Sequence, residues 1–198
     1  MSETLSTLVQ RSRHQQEIKK SRFLAIAEPV TSGEQALAFL REVTEPTATH
    51  NCWAYRIGED YRFNDDGEPG GTAGRPILQA IEGQQMDGVA VVVTRWYGGI
   101  KLGAGGLVRA YGGTAAECLR QAERVPIVAM TRLGVHVEFA ELAQLKARLK
   151  DLQAEVDNEQ FGADGVDLQL QLPDSRVDEA FQLISDISRG RSVAKRLD

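Results

Sequence analysis

The segment GVAVVVTRW, residues 88–96, constrains this chain more than any other. It is almost entirely β-branched and apolar, which reads as a buried strand. The flanking segments supply elements able to cover it. Residues 33–44 form a helix, with Ala36, Phe39, Leu40 and Val43 at i, i+3, i+4 and i+7 and Pro46 stopping it. In THNCWAYRIG the alternation sets Trp53, Tyr55 and Ile57 on one strand face and His50, Cys52 and Arg56 on the other. Residues 15–27 read as one strand with basic punctuation, 61–63 as a short strand, and 75–84 as a helix. After YGGIKLGAGG a helix runs to about Arg124, with Leu107, Tyr111, Ala115, Cys118 and Ala122 in one stripe.

The remainder reads as a strand (127–139), a helix (141–152), strands at 154–161 and 166–172, a helix after Pro173–Asp174, and a last strand (191–197). That order is β-α-β-β-α-β, the ferredoxin-like arrangement, with both helices expected on one face of a four-stranded sheet. The class is therefore α+β in two domains, residues 1–125 and 126–198, with a short, well-packed junction and no low-complexity linker.

At 198 residues, 42% hydrophobic and 26% charged, the chain has globular composition and can bury a core without disulfides or metals. Its two cysteines, Cys52 and Cys118, form no Cys-x-x-Cys or Cys/His array, which argues against zinc and fits a reducing compartment. Residues 1–13 lack the apolar core of a signal peptide, and no apolar run is long enough to span a bilayer, so the expected location is the cytoplasm, with no membrane contact. The net charge of −5 speaks against a uniformly basic DNA-binding protein, and no DNA-specific contact is expected. Through Val125 there are 14 Lys+Arg against 15 Asp+Glu, a net of −1; beyond it there are 9 against 13, a net of −4. Any nucleic-acid surface is then a local patch on the first domain.

Two glycine-rich loops carry the candidate chemistry. In DDGEPGGTAGRP (65–76), Asp65, Asp66 and Glu68 put three carboxylates within four residues. Such crowding suits a divalent cation or activation of water. The same residues also suit a solvated turn, since Asp and Gly adopt the backbone conformations a turn needs. The spacing is not that of an EF-hand, and no metal is assigned.

The second loop, RWYGGIKLGAGG (95–106), joins the buried strand to a helix. It matches neither a Walker A loop nor a dinucleotide fingerprint, so no nucleotide cofactor is expected. Glycines Gly98, Gly99 and Gly103 let backbone approach a ligand, and free N–H groups at a helix start attract anions. Arg95, Lys101 and Arg109 beside Trp96 and Tyr97 pair cations for phosphate with rings for stacking, the usual combination for single-stranded RNA. The alternative is that the rings pack into the core and the cations are merely solvated. His50 and Cys52 share a strand face, the arrangement of an imidazole-activated thiolate, although a small buried Cys is the commoner case and no orienting acid is evident. Cys118 belongs to the core stripe; His14 and His136 show no partner.

These loops also carry a resemblance. The run GRPILQAIEGQQMDGVAVVVTRWYGGIKLG (74–103), with EIKKSRF (17–23), His50-x-Cys52, DDGEP (65–69), GTAGRP (71–76) and GGLVRAYGG (105–113), resembles the IMPACT/YigZ family in its bacterial branch. The likeness spans essentially the whole first domain. The resemblance implies a ribosomal-protein-like (second-domain type) α+β fold for the first domain, shared with the fourth-domain superfamily of elongation factor G. It also implies that the second domain is similar to that factor's last domain. A role around translation follows, with RNA or the ribosome as the partner. Eukaryotic relatives bind an activator of the amino-acid-starvation kinase and carry an RWD domain in front, for which residues 1–13 leave no room here. The expectation is a non-enzymatic RNA- or ribosome-binding regulator. The alternative is a hydrolase using Asp65, Asp66 and Glu68 with a divalent ion, or Cys52 with His50.

Overall fold

The computed structural model describes residues 4–197; the first three residues of the N-terminal stretch lie outside it. The chain is α+β and divides into two compact units, Met1–Ile127 and Val128–Asp198.

In the first unit the apolar run becomes strand β6 (Val89–Trp96), the central strand of a five-stranded antiparallel sheet. Its neighbours are β3 (Ser21–Pro29) and β4 (His50–Ile57), with β2 (Ser12–Ile18) and β5 (Asp60–Asn64) at the edges. Both faces of β6 are covered, which is why it has no polar alternation. Val89, Val91 and Val93 pack with Phe23, Cys52 and Ala54 beneath helices α2 (Gly74–Gly83) and α3 (Gly103–Gln121). Ala90 and Val92 pack with Ile26 and Tyr55 against α1 (Gly33–Val43) on the other face. Helix α1 begins where the Ser32 hydroxyl accepts the Gln35 N–H at 3.2 Å, an N-cap.

Four sequence expectations change here. The single strand over 15–27 is a hairpin, β2 and β3, turning through Lys19 and Lys20 at φ 47° and 64°. Two consecutive left-handed residues make the tight turn that Asn-Gly normally announces, and Lys-Lys carries no such signal. Gly103 to Gly106 belong to α3, although glycines disfavour a helix; the buried flanks Leu102 and Leu107 anchor that turn. The helix ends at Gln121 rather than Arg124, because Arg124–Pro126 forms β7, paired with the unforeseen β1 (Ser6–Leu8). Three-residue strands offer no period to read.

The second unit has strand order β11-β8-β10-β9: β8 (Met130–Glu138), β9 (Glu155–Phe161), β10 (Gly165–Pro173) and β11 (Lys195–Leu197). All neighbours are antiparallel, the ferredoxin-like order. Helices α4 (Phe139–Leu149) and α5 (Val177–Ser188) share one core with the sheet, through Leu145, Leu149, Ala180 and Ile184 against Leu133, Leu168 and Leu170. Both therefore lie on one face. The last strand is shorter than the 191–197 expected, because Arg191 instead bridges to Glu138 and Glu141 at the start of α4.

Candidate functional site

The acidic loop leaves β5 and the glycine loop leaves β6, and the two line one cavity of about 390 Å³ at an end of the five-stranded sheet. His50, Glu68, Arg95, Tyr97, Lys101 and Leu107 are among its walls.

The three carboxylates do not converge. Asp65 accepts the N–H groups of Gly71 at 2.9 Å, Ala73 at 3.1 Å and Gly74 at 2.8 Å, so it caps the start of α2 from a distance. Burial alone would raise its pKa, but these N–H donors outweigh that and hold it below the ordinary value. Gly74 is required there, since a Cβ would stand 2.7 Å from the Asn64 backbone nitrogen. Asp66, at φ 43°, accepts the Asn51 N–H at 2.6 Å. Glu68 turns inward, 8% exposed, and its Oε1 accepts from Arg95 Nη1 at 2.7 Å and from the Tyr111 hydroxyl at 2.6 Å. A metal triad over Asp65, Asp66 and Glu68 is thus not assembled: each carboxylate serves a different backbone or side-chain donor.

The Cys52–His50 alternative fails on geometry as well. The buried Cys52 thiol donates to the Asp65 carbonyl at 3.0 Å, not to the imidazole. Burial pushes it up to about 12, with the carboxylates of Glu68, Asp66 and Asp65 adding to the rise. His50 does have the orienting groups that were missing from the sequence reading. Its Nδ1 donates to the Asp66 carbonyl at 2.7 Å, and its Nε2 stands 3.7 Å from Glu68 Oε2.

Arg95, expected on the binding surface, is only 6% exposed and braces the acidic loop through Glu68. It still lines the cavity, beneath Tyr97, whose ring centroid lies 5.3 Å from its guanidinium carbon. Trp96 is half-buried and covered by Arg22 at 3.9 Å. Tyr97 is 46% exposed, and Lys101 and Arg109 are exposed. The Arg109 guanidinium lies over Gly105, where a Cβ would meet Nη1 at 3.4 Å.

The glycines divide by role. Gly98 donates to the Ser21 hydroxyl at 3.2 Å, and a Cβ on it would overlap the Lys20 carbonyl. Gly99 and Gly103 adopt φ 91° and 74°. The close approach at Gly98 brings the Lys19–Lys20 turn beside the glycine loop. Sequence reasoning did not bring Lys19 and Lys20 to this loop, because EIKKSRF was read as part of one strand.

The second unit has a separate cavity of about 320 Å³ at His136, Glu138, Asp164 and Arg191. There His136 Nδ1 meets Asp167 at 2.9 Å across β8 and β10, a partner the sequence did not suggest.

Comparison with known proteins gives two family matches: the Impact N-terminal domain over residues 19–119 and a domain of unknown function over residues 135–191. An IMPACT family member in the pol 5′ region of Thermus thermophilus is 49% identical over 175 residues, covering 88% of this chain and 97% of the relative. The IMPACT family member YigZ of Escherichia coli is 37% identical over 182 residues, covering 88% and 89%. A crystal structure of a hypothetical protein aligns over 100% of this chain and 99% of its own, with 34% identity and a TM-score of 0.68.

Proposed function

The chain belongs to the IMPACT family, and from that footing we propose that it is a non-enzymatic, translation-linked regulator that binds RNA, free or within the ribosome, through its first unit. Its place of action on this reading is the cytoplasm; among the described residues no helix is long and apolar enough to cross a membrane.

The observation that carries the reading is that two cationic segments meet at the glycine loop, next to an exposed ring. Lys19 and Lys20 come from the β2–β3 hairpin and Lys101 from the glycine loop, and the two segments meet where Gly98 approaches the Lys20 carbonyl. Tyr97 lines the same cavity as Lys101 and exposes almost half its surface. Cations beside an aromatic face suit single-stranded RNA, which is held by backbone charge and base stacking. A chain of net charge −5 needs such a local patch to bind a polyanion at all. The hydrolase reading has less support, since the acidic side chains diverge and Cys52 is occupied by a carbonyl.

The test is RNA and ribosome binding by the full chain across graded salt. Lys101→Ala is expected to weaken binding irrespective of sequence and to flatten the slope of log K against log salt by about 0.7, one single-strand phosphate contact. Lys19→Ala combined with Lys20→Ala should flatten it further. Absence of binding at low salt, or slopes equal to the parent's in both variants, would overturn the reading.

A further inference from the structure

Two acceptors meet in the cavity without bonding to each other. Glu68 Oε1 is taken by Arg95 Nη1 and the Tyr111 hydroxyl, whereas Oε2 receives no hydrogen bond among the described residues. Its neighbour is His50 Nε2, 3.7 Å away and too far for a direct hydrogen bond. The Nδ1 of the same ring faces the Asp66 carbonyl, which can only accept. Nδ1 therefore carries the proton, and Nε2 of the neutral ring is an acceptor as well. Both residues line the cavity, with 19% of the His50 side chain and 3% of the Glu68 side chain exposed, and neither unbonded atom is sealed from it. A ligand that answers both must bring two hydrogen-bond donors side by side. At about 390 Å³ the space falls within the roughly 300–1,000 Å³ of small-ligand sites.

We propose that this cavity binds the 3′-terminal ribose of a single-stranded RNA, its vicinal 2′- and 3′-hydroxyls donating to His50 Nε2 and Glu68 Oε2. The inference rests on the RNA reading above and deepens it by naming the part of the strand that is held. Hydroxyls on neighbouring carbons can each donate, at about 2.8 Å, to acceptors spaced 3.7 Å apart. A carboxylate accepting from a ribose hydroxyl is a recurrent way of holding that sugar. A cation would also seek two acceptors, but Arg95 already offsets the Glu68 charge at 2.7 Å and Lys101 lines the same cavity. A neutral pair of donors suits that balance better. The strand must end here, because inside a chain the 3′ oxygen carries a phosphate and has no proton to give. A 3′-phosphate would also set negative charge against Glu68. Deoxyribose offers one donor where two are wanted, which is how a 2′-hydroxyl separates RNA from DNA. Lys101 takes the phosphate on the 5′ side. Pro69, Tyr97, Leu102 and Leu107 give the base a largely apolar wall, tolerant of its identity.

The test uses the full chain with one RNA sequence, labelled with a fluorophore at its 5′ end and finished with a free diol, a 2′-deoxy, a 3′-deoxy or a 3′-phosphate terminus, all at one salt concentration. The diol end should bind at least about fivefold tighter than either deoxy end, the worth of one hydrogen bond, and the 3′-phosphate end should bind more weakly still. In parallel, adenosine 5′-monophosphate should shift the His50 and Leu107 NMR signals, and its 2′-deoxy and 3′-phosphate counterparts should not at the same concentration. Lys101→Ala should weaken all four RNAs and keep their ratios. His50→Ala should narrow the ratios, as should Glu68→Gln if it melts like the parent. Equal affinities for the four ends with no nucleotide effect would overturn the diol site and leave RNA binding standing. A diol-dependent response to the nucleotide without any RNA binding would overturn the RNA reading and keep the ribose site. The end series and the nucleotide titration need no variant, so a poorly folded Glu68→Gln does not blunt the test.

Discussion

Glu68 and Arg95 form a buried ion pair at 2.7 Å, with side chains 3% and 7% exposed, that ties the acidic loop to the end of the central strand. Removing one partner strands the other as an uncompensated buried charge, which costs about 3–5 kcal/mol. Arg95→Ala should destabilise the first unit by that order in chemical denaturation. Adding Glu68→Gln to Arg95→Met should recover part of the loss, because the amide still accepts from Tyr111 without demanding a counter-charge. A double variant no more stable than the sum of its parts would count against the pair as described.

Cys52 should be unreactive. With its thiol buried and pushed up to about 12, almost no thiolate exists at neutral pH. In the native protein at pH 7.5, iodoacetamide should leave Cys52 unlabelled by mass spectrometry, and His50→Ala should not change that. Fast, stoichiometric labelling of Cys52 that His50→Ala abolishes would revive the nucleophile.

Gly98→Ala should loosen the cationic face without touching a charge. The added methyl overlaps the Lys20 carbonyl, so the loop or the β2–β3 turn must move, at a cost of about 1–3 kcal/mol for overpacking. The expected result is a lower melting temperature and, on the proposed RNA reading, weaker RNA binding. Gly113→Ala, where a Cβ meets nothing within 4 Å, is the control and should do neither.

His136 should make stability depend on pH. Its hydrogen bond to Asp167 raises its pKa, and the nearby charges of Asp167, Asp164 and Glu138 add to the rise against desolvation. The folded form binds the proton more tightly than the unfolded chain does. The contribution is therefore fully present below the unfolded value near 6.5 and fades as pH rises through the folded one. Asp167→Asn should lower the His136 midpoint in an NMR titration and weaken that part of the pH dependence. An unchanged midpoint would rule out the cross-strand contact as its source.

Much of the fold was legible because it rests on local periods. The β-branched run at 88–96 could only be a covered strand, and residues 166–172 alternate as β10 does. The helix over 33–44 was readable to within a residue because Ser32 caps it and Thr44 leaves the helical conformation ahead of Pro46. The hairpin at Lys19–Lys20 was not, because its turn uses residues that rarely adopt positive φ, and it is closed by the pairing of β2 with β3.

The site divides along the same line. The sequence by itself determined which residue types were available: three carboxylates in one loop, cations and rings in the other, and a His and a Cys on one strand face. Their partners were left to the tertiary structure. Glu68 lies 27 residues from Arg95 and 43 from Tyr111, and Gly98 lies 77 from Ser21. Sheet order sets those meetings by lining up the ends of β3, β4 and β6. Asp65 was claimed by the N–H groups at the start of α2 and Asp66 by the Asn51 N–H, which left Glu68 alone to face Arg95. A hydrogen bond is fixed by where two backbones bring its donor and acceptor, and local composition carries no record of that distance.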